Sequence, residues 1–87
     1  MVYVYVLLSE KDGQFYTGAT SDLRRRLEEH EAGRVKSTRN RLPVSLVYYE
    51  GCLSQSDAFQ REKYLKSGMG KRYLRRRLKV YLGSLTG

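Results

Sequence analysis

Valine and tyrosine alternate along Val2-Tyr3-Val4-Tyr5-Val6-Leu7-Leu8, a β-branched and aromatic run that ends in the polar stretch Ser9-Glu10-Lys11-Asp12-Gly13. Such a run reads as a strand. Its period of two sends Val2, Val4, Val6 and Leu8 to one face and Tyr3, Tyr5 and Leu7 to the other. Asp12-Gly13 suits a tight hairpin, after which Gln14 to Thr17 returns antiparallel to the first strand. Gly18 then reads as a structural turn, with Thr20 or Ser21 capping the helix that follows.

In that helix Leu23, Leu27 and His30 share one stripe, and Arg26 lies roughly 60° from Leu23 on its edge, whereas Arg24 and Arg25 point elsewhere. Ala32-Gly33 ends the helix, Arg34 to Leu42 forms a loop, and Pro43 leads into an edge strand over Val44 to Tyr49. Ser54 or Ser56 can cap a second helix running to about Lys66. Ala58, Glu62 and Leu65 fall on one stripe of it, which gives a carboxylate a place usually held by an apolar residue. The ordinary explanation is a salt bridge to Arg61 or Lys66. Ser67-Gly68-Met69-Gly70 reads as a break before a third helix from Lys71 to Leu82, with Leu74, Leu78, Tyr81 and Leu82 as its apolar stripe and Gly83 as its stop. The pattern predicts the order β-β-α-β-α-α in a single domain over 1–83, with 84–87 as a tail.

Length sharpens this picture. A chain of 87 residues buries only roughly 60–65% of its unfolded surface, so the core must be thin. Charge changes it more: 17 Lys+Arg against 9 Asp+Glu leave +8, the electrostatic footprint of a polyanion-binding protein. Arg34, Lys36, Arg39 and Arg41 form a run without an acid, and the stretch from Arg61 to Lys79 holds nine basic residues and one acid, Glu62. Arg34, Lys36, Arg39, Arg41, Lys66, Arg72, Arg75 and Arg76 are the candidate nucleic-acid contacts.

Cysteine usage removes several classes. Cys52 alone cannot form an internal disulfide, and one Cys with one His does not make a structural zinc site. The absence of a signal peptide and of an apolar stretch long enough to span a bilayer leads to the expectation of a cytoplasmic protein without a membrane partner. The Gly-x-Gly-Lys at Gly68 to Lys71 lacks the spacing and the preceding strand of a phosphate-binding loop.

Two phenols, Tyr5 and Tyr16, the inward Arg26, the imidazole of His30 one turn later and the carboxylate of Glu62 sit on elements that a small sheet with packed helices can bring together. That set suits phosphodiester hydrolysis better than acyl transfer. The residues also resemble the GIY-YIG nuclease superfamily. Tyr3-Val4-Tyr5 stands where its first tripeptide falls and Tyr16-Thr17-Gly18 where its second falls, with Arg26, His30 and Glu62 at matching later places. The chain is most similar to short stand-alone bacterial members, which resemble the catalytic domain of the nucleotide-excision-repair nuclease subunit. The asparagine that many members carry after the glutamate has no counterpart, the one asparagine being Asn40.

The resemblance implies a small α/β (α+β) fold, a three-stranded antiparallel sheet flanked by helices, and hydrolysis of DNA dependent on one divalent ion, Mg2+ or Mn2+. Glu62 would be its single protein ligand. Arg26 would hold the scissile phosphate, Tyr5 or Tyr16 would orient or deprotonate the attacking water, and His30 would assist a phenol or contact phosphate. The expectation is a metal-dependent endonuclease with little sequence specificity of its own, in a setting such as DNA repair or recombination, with target choice left to DNA structure or a protein partner. RNA is the second candidate substrate. Oligomeric state is left open. The competing expectation is a basic nucleic-acid-binding module that keeps the fold without catalysis; a small RNA- or ribosome-associated protein is a third.

Overall fold

Both faces of the first strand are covered, which is why its alternation is between two kinds of apolar side chain rather than between apolar and polar. The computed structural model describes residues 1–86. Three strands, β1 (Val2–Ser9), β2 (Phe15–Thr20) and β3 (Val44–Cys52), form one antiparallel sheet in the order β2-β1-β3. Four helices follow the pattern of insertion: α1 (Leu23–Glu31) between β2 and β3, then α2 (Gln55–Lys66), α3 (Gly68–Arg77) and α4 (Lys79–Thr86). The fold is therefore the expected three-stranded antiparallel sheet flanked by helices, in the order β-β-α-β-α-α-α.

The valine face carries the apolar core. Val4, Val6 and Phe15 pack with Ala58 and Leu65 of α2 and Leu74 of α3. The tyrosine face lies under α1, where Tyr5, Leu7 and His30 are all buried. Register makes the second face continuous: Tyr5 pairs with Gly18 and Tyr49, and Leu7 with Tyr16 and Leu46. A β-bulge between Val6 and Leu7 restores that parity on β3 by inserting Val47, which packs on the valine side.

Local chemistry sets the element ends, and it corrects several boundaries. β2 runs through Gly18 to Thr20, so Gly18 is a strand residue and not a turn. Asp22, rather than Thr20 or Ser21, caps α1, its Oδ1 accepting from the Arg25 backbone N–H at 3.2 Å, while Thr20 accepts from the Asp22 N–H in a short side-chain turn. Ser54 caps α2 through the Asp57 N–H. The β1–β2 connection turns at Gly13, whose φ of 69° is the left-handed conformation that glycine takes without steric cost.

The predicted third helix divides in two and starts earlier. Ser67 ends α2 and caps α3 at once, accepting from the Gly70 N–H, so Gly68-Met69-Gly70 is a first helical turn and not a gap. Leu78, at φ −104° and ψ 17°, interrupts the chain between α3 and α4. The stripe Leu74, Leu78, Leu82 continues across that interruption in the i, i+4 spacing, which conceals it in sequence. Helix α4 extends through the segment read as a tail to Thr86, and it leaves Val80, Tyr81 and Leu85 exposed, so Tyr81 is not core. No helix among the described residues is long and apolar enough to cross a membrane.

Candidate active site

The centre of the tyrosine face is a buried line of three polar side chains. The Tyr5 hydroxyl is 2.8 Å from His30 Nε2, and His30 Nδ1 is 2.7 Å from Thr38 Oγ1. His30 and Thr38 are wholly buried and Tyr5 is nearly so. Each arises from a different local cause. Strand parity turns Tyr5 inward, helical phase turns His30 down from the last turn of α1, and the turn at Val35 to Arg39 folds Thr38 under the helix, with the Thr38 and Arg39 N–H groups both donating to the Val35 carbonyl.

Gly18 belongs to this line by what it lacks. A Cβ built there would fall 2.5 Å from the Tyr5 hydroxyl and 2.7 Å from its ring carbon Cζ. The phenol lies across the bare backbone of β2, and any side chain at position 18 would displace it.

Tyr16 completes an aromatic enclosure. Its ring centroid is 5.2 Å from His30 and 6.5 Å from Tyr5, and the His30 ring meets both phenols edge to face. Unlike Tyr5 it is only half-buried, and its hydroxyl makes no side-chain hydrogen bond among the described residues. The two tyrosines that sequence left interchangeable are thus distinct: one is an inner phenol with fixed partners, the other an outer phenol with a free hydroxyl.

Electrostatics around the line are ordered. Burial raises the Tyr5 pKa above that of a free phenol; the Arg26 guanidinium, as a hydrogen-bond donor and a positive charge, opposes that shift, while the charge of Glu62 adds to it. Tyr5 is therefore a neutral phenol at pH 7, the pull of Arg26 toward phenolate being the weaker contribution. Burial also lowers the His30 pKa, reinforced by the Arg26 charge, so the imidazole is neutral. A neutral imidazole accepts at one nitrogen and donates at the other. With Nδ1–H donating to Thr38, Nε2 is free to accept from Tyr5.

Arg26 and Glu62 reach the site from opposite elements. Arg26, on α1, donates from Nη1 to Glu29 Oε1 at 3.1 Å with over a third of its side chain exposed, and it lines a groove with Arg34, Val35, Lys36 and Ser37. Glu62, on α2, is near enough for its charge to act on Tyr5. Among the described residues it forms an ion pair with Lys66 Nζ, at 2.8 Å, and not with Arg61, which decides between the two partners offered by sequence. Arg61 turns to Glu50 of β3 instead, at 2.8 Å.

The candidate nucleic-acid contacts separate into groups. Arg34 and Lys36 extend the Arg26 side of the site. Arg39 is exposed on the same loop. Arg41 is committed to the β1–β2 connection, pairing with Asp12 Oδ2 at 2.9 Å and donating to the Gln14 carbonyl. Lys66 neutralises Glu62, and the Arg75 guanidinium sits 4.9 Å over the Phe15 ring. Arg72 and Arg76 lie elsewhere, in a groove between α2 and α3. On the far flank of α1 the acids Asp22, Glu28 and Glu31 collect beside Tyr3 and Tyr49, away from the basic groove. Thr38 and Glu29 are the residues that sequence reasoning missed. Thr38 sits in a loop read only for its charge, and the one available signal was a hydroxyl eight residues after an inward histidine.

Among the described residues no group of three or more His, Cys, Asp and Glu side chains could hold a metal ion. A single partly exposed carboxylate at Glu62, within electrostatic reach of Tyr5, fits a hard cation that keeps most of its ligands as water and substrate oxygen.

A three-stranded antiparallel sheet with two tyrosines on neighbouring strands beside an arginine and histidine of the first helix, with a glutamate on the second, defines a class: the chain belongs to the GIY-YIG family, matching its catalytic domain over residues 1–75. Domains of this family are typically nucleases, which act on nucleic acid and generally use a divalent metal. Within the family the chain is similar to proteins named UPF0213. It is 52% identical over 66 residues to one from Natronomonas pharaonis, covering 75% of this chain and 76% of that protein. It is 48% identical over 65 residues to one from Streptococcus pneumoniae serotype 4, covering 74% of this chain but only 65% of that relative's length. The solution NMR structure of the UPF0213 protein BH0048 from Bacillus halodurans covers the whole chain and 87% of its own, at 39% identity and a TM-score of 0.46.

Proposed function

We propose that this protein is a divalent-metal-dependent endonuclease that hydrolyses phosphodiester bonds in DNA with little sequence specificity of its own. The observation that carries this reading is the convergence on Tyr5 of four groups from three elements: His30 at 2.8 Å and the charge of Arg26 from α1, the facing ring of Tyr16 from β2, and the opposed charge of Glu62 from α2.

Arg26 binds the scissile phosphate by paired N–H donors, exchanging Glu29 for substrate oxygen; its planar fork suits two phosphate oxygens at once. Arg34 and Lys36 hold flanking phosphates. The attacking water is oriented at the outer hydroxyl of Tyr16. Its proton moves toward the phenol pair, and Tyr5, donating to Nε2 of neutral His30, passes its own proton inward as it accepts one. The relay explains how a phenol with a raised pKa takes part without resting as phenolate. The water oxygen forms the new bond to phosphorus, and the bond to the leaving oxygen breaks. Glu62 would hold the divalent ion, which when bound neutralises charge developing on the phosphate and the leaving oxygen.

A second reading has its own support. Arg26 is neutralised by Glu29 and Glu62 by Lys66 within single helices, as suits a basic binding module without catalysis. One experiment separates the two: incubation of the protein and of its Glu62→Ala and Arg26→Ala variants with single-stranded, duplex and branched DNA, and with RNA, in Mg2+ or Mn2+. The endonuclease gives metal-dependent cleavage that falls by about 100-fold or more in both variants. Cleavage that survives both substitutions, or none on any substrate with salt-sensitive binding retained, sinks the reading.

A further inference from the structure

The relay leaves unused a second cluster on the other flank of α2. Tyr64 of α2 and Tyr73 of α3 meet edge to face, their centroids 6.4 Å apart. The Arg61 guanidinium packs against both rings, 5.4 Å from Tyr64 and 4.9 Å from Tyr73, and is itself anchored to Glu50 of β3. Arg61 is thereby held as a structural cation, its pKa raised by Glu50, Tyr48 and Tyr73 against the effect of burial. The rings are oriented by this contact before any ligand arrives.

The same two tyrosines line a groove with Met69, Arg72 and Arg76. Tyr64 is 37% and Met69 64% exposed, although both carry apolar surface. Arg72 and Arg76, one helical turn apart on α3, form no ion pair among the described residues, in contrast to Arg26, Arg41, Arg61 and Lys66. Fixed aromatic surface flanked by unneutralised guanidinium groups is what a splayed nucleotide requires: a ring on which the base stacks, and cations for the phosphates on either side. Duplex DNA keeps its bases stacked on one another and offers only phosphates to such a groove.

We infer that the α2–α3 groove of Tyr64, Met69, Arg72, Tyr73 and Arg76 binds a single-stranded segment of DNA by base stacking and phosphate contact. As a statement of substrate class it rests on the endonuclease reading, and it makes the preferred target a junction: duplex at the Arg26 groove, unpaired strand on α2–α3. As a statement of binding it stands apart from cleavage.

The test is fluorescence anisotropy, in EDTA so that no cleavage occurs, with a labelled oligo-dT and a labelled hairpin duplex titrated by the full chain and by Tyr64→Leu, Tyr64→Phe and Arg72→Ala/Arg76→Ala. The expected result is a loss of oligo-dT affinity of roughly 5- to 100-fold in Tyr64→Leu, with Tyr64→Phe near wild type, because stacking needs the ring and not the hydroxyl. The double arginine variant should lower the salt slope for oligo-dT by about 1–2. Hairpin affinity should change less than 2-fold in Tyr64→Leu. Circular dichroism of each variant establishes that it is folded. Equal losses for oligo-dT and hairpin, or an unchanged oligo-dT affinity in folded Tyr64→Leu, overturn the inference. A failure of the endonuclease reading shows instead in the Glu62→Ala cleavage assay and leaves these affinities unmoved.

Discussion

The two faces of the sheet are built from the same strand and do opposite work. On one, Val4 and Val6 meet Phe15, Ala58, Leu65 and Leu74 with no polar atom among their side chains. On the other, one residue out of phase, Tyr5 meets Gly18, His30 and, through His30, Thr38. Dispersion and the removal of apolar surface from water hold the first face, where a change in volume is felt as stability. The second is a satisfied hydrogen-bond line, where a change in geometry is felt as lost alignment before it is felt as lost stability. A strand in so thin a protein cannot give up either face to solvent, so the candidate site and the core are separated by parity and not by distance.

The largest effect should come from breaking the apolar face. Leu74 is wholly buried between α3 and the sheet, and Leu74→Ala should lower unfolding free energy by about 2–5 kcal/mol, read by urea denaturation. Because the two faces are packed independently, the folded fraction of this variant should keep its cleavage rate per molecule. A proportionate loss of rate in the folded fraction would mean that the faces are coupled.

The matching break on the polar face is Gly18→Ala. The added methyl falls within 2.5 Å of the Tyr5 hydroxyl, so Tyr5 must leave His30 or β2 must shift. Overpacking costs about 1–3 kcal/mol, but cleavage should fall by about 100-fold, since small displacements of catalytic groups have large effects on rate. A Gly18→Ala protein with near-normal cleavage would remove Tyr5 from the mechanism.

Parity was legible in the alternation of valine and tyrosine, and the inward turn of Arg26 and His30 was legible from Leu23 and Leu27, because both follow from backbone period alone. Position 18 was not. A glycine after a short strand has the same composition whether it turns the chain or makes room for a phenol, and only the pairing of Tyr5 with Gly18 separates the two. Thr38 was hidden for a related reason, since loops have no period to give a side chain its direction. The division of α3 from α4 escaped because one non-helical residue, Leu78, leaves an apolar i, i+4 stripe undisturbed. Partner choice among long charged side chains was equally open: Glu62 could have met Arg61 as readily as Lys66.

Protonation distinguishes the faces next. His30 is buried with its pKa lowered, so below about pH 6.5 the unfolded chain binds a proton that the native chain resists. The unfolded state then holds more protons, and stability falls as pH drops, by at most about 1.4 kcal/mol per pH unit for this one group. Urea midpoints between pH 7.5 and 5.5 should show that slope in the wild type and lose it in His30→Gln. The buried core of the apolar face, Val4, Val6, Phe15, Ala58, Leu65 and Leu74, carries no titratable side chain. An equal slope in both proteins would place the titration elsewhere.

The smallest effects belong to the exposed charges, where two arginines of a single loop differ. Arg34 lines the groove beside Arg26, whereas Arg41 is bound to Asp12 and the Gln14 carbonyl. Asp12 in turn has its pKa lowered chiefly by that hydrogen bond to Arg41. A guanidinium already neutralised by a carboxylate releases few counterions from DNA, while a free one releases close to one. Arg34→Ala should therefore lower the slope of log affinity for duplex DNA against log salt by about 1, and Arg41→Ala should leave it nearly unchanged while loosening the β1–β2 connection only slightly. Equal changes in slope would mean that DNA displaces Asp12 and recruits Arg41, which would extend the nucleic-acid surface from the Arg26 groove to the far end of the sheet.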